Sequence, residues 1–445
     1  MRVAILIYIL VFMPMIGAFV SYLIGRKSKK GRDFFVKFIT IVEFCLSLKL
    51  LIDGANAEGL IVNIPEICGM GLNFTMDGFR VLYATIACFM WMCTSIFSEE
   101  YFAHYRNRNR YYLFQLLTLG ATTGIFLSAD LYTTFIFFEI MSISSYVWVA
   151  HDETAPSMRA AATYLAVAII GGLTLLMGLF LLYTQTGTLM IRELYEACQG
   201  KNVYPACICM LVGFGAKAGA FPLQIWLPKA HPVAPAPASA LLSGILTKTG
   251  IFGVLVISCQ ILLHDAVWGA FILVIGVITM FLGALLAVFS IDFKRTLACS
   301  SVSQIGFILV GVGMQGLLGE HNEIAIRGTV LHMVNHSLFK LVLFMAAGVI
   351  YMNIHKLDLN DIRGFGRKKP LLKFIYLMGA LGIGGIPLWS GYISKTLLHE
   401  SMVEYIHEAE HGAMHLVLSL ETMGAFEWIF LIRSEEHTSE LQSLY

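Results

Sequence analysis

Apolar stretches of about 20 residues, the length a helix needs to cross a bilayer, recur about thirteen times along this chain and leave little room for any other fold. They lie near residues 3–24, 34–52, 79–97, 111–128, 131–149, 162–184, 204–227, 237–259, 266–289, 297–315, 328–351, 372–398 and 413–432, most of them joined by short loops. Of 445 residues, 58% are hydrophobic and 13% charged, whereas a soluble protein carries about a quarter charged residues. The pattern predicts an all-α polytopic membrane protein. A formal net charge of +1, with no basic patch interleaved with aromatics, removes nucleic acid as a partner. Nine cysteines are scattered, and Cys207 with Cys209 is the one close pair, so zinc and iron-sulfur spacings are lacking. No cofactor and no metal is expected in this chain; any redox group belongs to a partner.

Loop charge orients the spans, because lysine and arginine gather on the cytoplasmic side. Alternate loops are basic or mixed: Arg26 to Arg32, Arg106 to Arg110, Arg159, Lys229, Lys294 with Arg295, and Lys356 to Lys373. The intervening loops, such as Asp53 to Asp77 and Glu400 to Glu410, are acidic or nearly uncharged, and Arg192 to Lys201 carries a mixed few. The N-terminus is therefore expected outside a cell membrane crossed many times. The first run, interrupted by Pro14, has its basic cluster after the apolar stretch rather than before it, so it reads as a retained span and not a cleaved signal.

Two stretches carry glycine-rich breaks around a proline, Gly213 to Pro222 and Gly379 to Pro387. They fall in the seventh and twelfth runs, which cross in opposite directions, as expected of inverted repeats that cradle an ion site at mid-membrane. Broken helices are expected near 213–227 and 379–398. Residues 1–110 form an N-terminal region of three spans, 111–432 the main transmembrane domain, and 433–445 a polar tail. That tail, RSEEHTSELQSLY, resembles a translated sequencing adapter and is set aside, with the natural chain expected to run beyond Ile432.

Charged side chains inside these runs point to function. A lysine or aspartate at the centre of a membrane helix costs about 2.5–3.5 kcal/mol on insertion scales. Glu139, Lys217, Lys248, Lys340 and Lys395 all fall within apolar runs, and His332, His336 and Lys340 recur at i, i+4 and i+8 along one helical stripe. Fixed ion pairs holding helices together are the bland reading. Four lysines against one glutamate cannot all be paired, which favours proton transport. The candidate translocation residues are thus Glu139, Lys217, Lys248, His332, His336, Lys340 and Lys395, with no catalytic residue.

Several of these residues sit in longer motifs. FPLQIWLPKAHPVAPAPASALLSGILTKTGIFG (Phe221 to Gly253) resembles the seventh-to-eighth helix signature of the antiporter-like subunits of respiratory complex I (NADH-quinone oxidoreductase), membrane-bound hydrogenases and Mrp-type cation/proton antiporters. HMVNHSLFKLVLFMAAG (His332 to Gly348), GIPLWSGYISK (Gly385 to Lys395) and FFEIMSISSYV around Glu139 are similar to that family's histidine-lysine, second broken and glutamate helices. The resemblance implies a bundle of fourteen helices with two inverted five-helix repeats. It also implies that Glu139 pairs with Lys217 while protons pass through Lys248 and the Lys340 region to Lys395. Other membrane subunits, with redox subunits on the cytoplasmic side, would be the partners. Lys229 departs from the acidic residue that many relatives carry after WLP.

The main expectation is a proton-translocating, non-redox subunit of a complex I-type or hydrogenase-type assembly; the alternative is a subunit of a sodium/proton antiporter without redox coupling. A purely structural scaffold predicts that neutralising Glu139 or Lys217 leaves ion flux unchanged. HEAEH at His407 to His411 matches the HExxH zinc pattern, with His415 four residues on, but is read as a solvated amphipathic segment on a hydrophilic loop. Gly213, Gly215 and Ala218 fit a loose GxGxxG/A pattern without the strands it needs, and are read with Gly171, Gly172 and Gly178 as close helix packing.

Overall fold

A computed structural model describes residues 2–53, 59–67, 69–105, 107–411 and 417–435. In chain order the helices are α1 (Arg2–Lys27), α2 (Lys29–Asp53), α3 (Gly78–Tyr101), α4 (Arg108–Phe126), α5 (Leu131–Val149), α6 (Ala155–Thr186), α7 (Leu194–Cys198), α8 (Tyr204–Ala218), α9 (Leu227–Val233) and α10 (Ala236–Leu241). They continue as α11 (Thr247–Val256), α12 (Ala266–Val288), α13 (Phe293–Leu318), α14 (Glu323–Ile354), α15 (Leu359–Ile362), α16 (Pro370–Gly384), α17 (Ser390–Glu410) and α18 (Leu420–Glu435). The chain is an all-α polytopic membrane protein. Among the described residues, seven helical stretches are long and apolar enough to cross a membrane, by length and composition alone. The seventh and twelfth runs are divided, and their first halves, α8 and α16, are shorter apolar helices.

Short polar side chains set where the helices begin. Asp77, Asp130, Thr154, Asp265 and Asp292 each accept a hydrogen bond from the backbone N–H three residues on, satisfying a donor the helix itself cannot. Both breaks are built alike. Gly219 (φ +80°) and Gly385 (φ +79°) end α8 and α16 in the left-handed conformation that glycine adopts without strain.

The helices sort into two compact units, Met1–Phe214 with Val233–Phe252 and Gly215–Pro232 with Gly253–Tyr445. In the first unit, side-chain hydrogen bonds stitch successive helices where no water can serve. Thr123 Oγ1 on α4 donates to Leu10 O on α1 (2.9 Å), and Trp91 Nε1 on α3 to Gln115 O on α4 (2.8 Å). Thr118 and Ser144 join α4 to α5 (2.8 Å), and the Ser145 and Tyr164 hydroxyls join α5 to α6 (2.6 Å). The stretch from Asp53 to Asp77, predicted as a loop, contains an antiparallel hairpin of β1 (Ile61–Ile64) and β2 (Leu72–Thr75). Asn73 Nδ2 donates from its second strand to Asp130, the cap of α5 (2.7 Å).

In the second unit α13 is buried along nearly its whole length. Glycines let α12 press against it, since a Cβ at Gly276 would lie 2.7 Å from Val310 N and one at Gly313 2.6 Å from Leu273 N. The predicted loop Glu400 to Glu410 is instead the end of α17. Its buried residues Leu398, Met402, Tyr405 and Ala409 continue the three-four spacing of a packed helix face beneath a polar outer face. His407 and His411 accordingly stand one turn apart on that helix end with ring centroids 4.4 Å apart, while His415 lies outside the described residues. The helix α18 runs through Arg433 to Glu435, and Arg433 Nε donates to Ser303 Oγ (2.8 Å). The rest of the set-aside tail, 436–445, lies outside the described residues.

Candidate ion pathway

In the first unit Glu139 projects from α5 towards α6, where Gly172 leaves it room. A Cβ on Gly172 would stand 2.9 Å from the Glu139 carboxyl carbon. Gly172, read from the sequence as packing, thus holds space for a charged group. Gly178 and Gly213 do serve packing, facing Met210 of α8 and Leu175 of α6. Lys248 is fully buried at the start of α11, and its Nζ donates to Ser243 O at 2.9 Å. Residues Leu242–Leu246 form a π-helical turn, whose widened bonding pattern suits a carbonyl that also receives a side-chain donor.

The other predicted residues belong to the second unit. Lys217 occupies the last turn of α8, two residues before Gly219, where the C-terminal carbonyls of a helix favour a cation. Trp226 Nε1 closes this break by donating to Ala216 O (2.7 Å). The stripe of His332, His336 and Lys340 on α14 is buried, with exposures of 3%, 1% and 0%. Lys340 Nζ reaches α13, donating to Ser300 Oγ (2.8 Å) and Leu297 O (3.1 Å). At the other end of the stripe, His332 Nδ1 is hydrogen-bonded to Ser394 Oγ on α17 (3.0 Å), next to Lys395. Asn335 Nδ2 steadies this junction by donating to Ser390 O (2.8 Å).

Lys395 uses the second break directly. Its Nζ donates to Gly384 O (2.9 Å), a carbonyl at the C-terminal end of α16 that no helical turn can satisfy. The ring of Phe307 on α13 is shared: it lies 5.5 Å from the His332 ring and 5.0 Å from Lys395 Nζ. His332, Ser394, Lys395 and Phe307 are therefore one cluster, with Lys340 two helical turns away along α14. Glu139 and Lys248 fall in one unit and Lys217, His332, His336, Lys340 and Lys395 in the other.

Three further buried titratable residues escaped the sequence reading. His231 on α9 is fully buried and stacks on Phe344 at 4.8 Å, one turn beyond Lys340, with Lys294 and Lys340 as charged neighbours. It lies inside the KAHPVAP motif, which could have singled it out. Lys294, assigned to a loop, is 3% exposed in the first turn of α13, with Nζ 5.8 Å from the Tyr351 ring centroid. Glu43 is fully buried near the middle of α2, and its carboxyl oxygens accept no hydrogen bond among the described residues. Its position within an apolar run was the available signal.

Residues 128–419 match the family described as NADH:quinone oxidoreductase/Mrp antiporter, transmembrane region. The chain belongs to this family. The match spans both breaks and every predicted translocation residue. Among similar members, hydrogenase-4 component B of Escherichia coli is 31% identical over 370 residues, covering 79% of this chain and 55% of that protein. A Na(+)/H(+) antiporter protein from Alkalihalophilus pseudofirmus, one subunit of its antiporter, is 29% identical over 379 residues, covering 83% and 75%. The chain thus spans about half the length of the hydrogenase component it matches. An Mrp complex from a Dietzia species shares the fold with a TM-score of 0.87 at 24% identity, covering 99% of this chain and 79% of the chain compared. An archaeal membrane-bound sulfane sulfur reductase does so with 0.82 at 22%, covering 96% and 87%. The latter is an archaeal respiratory membrane complex.

Proposed function

We propose that this chain moves protons through its buried glutamate, lysine and histidine residues as an antiporter-like subunit of a complex I-type or hydrogenase-type membrane complex. The observation that carries the reading is the setting of Lys395. An ammonium group is placed on an open carbonyl at a helix break, beside a histidine that is linked by a serine to the same helix. Neutral oxygens solvate an ammonium without discharging it, so a small shift of the break changes how strongly the site holds a proton. Lys248 and Lys340, also set on carbonyl and hydroxyl oxygens, would repeat the device, and Glu139 with Lys217 would supply the charge pair whose separation drives it.

The N-terminus would lie outside the cell membrane, and redox subunits on the cytoplasmic side would provide the driving reaction. The alignment with three quarters of the Alkalihalophilus antiporter protein favours, as second reading, sodium/proton exchange without redox work. Vesicles carrying the full assembly, given a pH difference with and without sodium, test both. Lys395→Ala is expected to abolish proton movement. Unchanged movement in that variant would remove Lys395 from the path, and proton movement strictly dependent on sodium would favour the second reading.

A further inference from the structure

Away from the buried charges, α1 and α2 form an antiparallel hairpin turned at Ser28, and its outer side carries a groove of about 390 Å³. Its walls are Phe12, Ile16, Gly17 and Val20 of α1 with Phe35 and Ile39 of α2, and Tyr8 lies at its far end. From Tyr8 to Val20 the groove follows α1 for about 18 Å at 1.5 Å per residue. One leaflet of hydrocarbon, half of about 30 Å, is nearly the same depth.

At the Val20 end stand Arg26, Lys27, Lys29 and Lys30, all exposed and none ion-paired among the described residues. They begin about 9 Å beyond Val20 along the helix, the position of a headgroup whose chain fills the groove. The turn is fixed in place. Asn109 Nδ2 donates to Tyr22 O (2.9 Å), its Oδ1 accepts from Arg32 (3.2 Å), and Arg32 and Arg108 both pair with Asp33, while Lys37 takes Glu99. Four exposed cations, in no ion pair among the described residues, stand above an apolar slot of acyl length.

We propose that this hairpin binds one anionic phospholipid, its acyl chain in the groove and its phosphate on the basic turn. The inference rests only on the chain being membrane-embedded and stands apart from the ion pathway.

Native mass spectrometry of the intact complex in detergent, offered phosphatidylglycerol or phosphatidylcholine, tests it. Wild type is expected to retain phosphatidylglycerol about tenfold more than phosphatidylcholine. Neutralising the turn (Lys27→Ala, Lys29→Ala, Lys30→Ala) should abolish the preference. Ile16→Trp, at a position 64% exposed, should plug the groove and lose the lipid with every charge intact, whereas Arg367→Ala, Lys368→Ala and Lys369→Ala on another basic loop should change nothing. Equal retention of the two lipids, displacement by inorganic phosphate, or retention that survives Ile16→Trp would overturn the proposal. So would a wild-type complex that retains no lipid because a partner helix fills the groove.

Discussion

A single methyl group separates tolerance from interference at Gly172. A side chain there would intrude on the Glu139 carboxyl, so Gly172→Ala should lower proton flux by about tenfold or more with the complex still assembled, since displacements of about 1 Å in reacting groups carry penalties of that order. Flux equal to wild type at matched expression would show that the carboxyl has room to move. At the second break, Ser394→Ala removes the hydroxyl joining His332 to α17 and leaves the Lys395 bond to Gly384 O intact. The pH dependence of flux should therefore shift while the protein stays folded. Outside the spans, His151 is 3% exposed, and burial, followed by repulsion from Arg110, brings its imidazole down to about 4. A histidine depressed below its usual 6.5 contributes stability that is complete above that value and is lost as pH falls towards 4. Acidification over that window should destabilise the wild type by up to about 3 kcal/mol, and His151→Gln should flatten the loss in a pH series of thermal melts.

The interface of α12 with α13 is an element held by the absence of side chains. Gly276→Val would drive a branched side chain into the Val310 backbone, with a cost of about 1–3 kcal/mol typical of overpacking, visible as a lower melting temperature. A melt unchanged from wild type would show that the two helices can part without penalty. The seven long apolar stretches were legible because their runs are long and bounded by polar residues, and both breaks were legible because glycine and proline punctuate them. The hairpin before α3 and the last turns of α17 were not. Ile61–Ile64 and Leu72–Thr75 are only four residues each and pair through backbone groups across a seven-residue connection rich in glycine and apolar residues, and α17 beyond Glu400 buries a stripe too narrow to lift its average hydropathy above that of a loop.

At the scale of the whole molecule, the charged residues that sequence placed within apolar runs are mostly buried, and the His332 to Lys340 stripe was readable from its spacing alone. What spacing could not show was the set of partners. Lys395 answers to a carbonyl freed by the break before it, and Lys340 to oxygens on α13 some 40 residues earlier. Long-range pairings of this kind depend on which helices become neighbours, which local patterns do not encode. His231 was absorbed into the KAHPVAP motif beside Lys229, and Glu43 shares its run with Lys37, Thr40, Ser47 and Lys49, so neither stood out as an isolated charge. The central claim concerns proton movement, and it is tested most directly by proton flux in vesicles carrying the full assembly, comparing wild type with Glu139→Gln and Lys217→Ala at matched expression. Loss of flux in both variants with assembly intact is the predicted result; flux that survives both would make these buried charges structural and contradict the account.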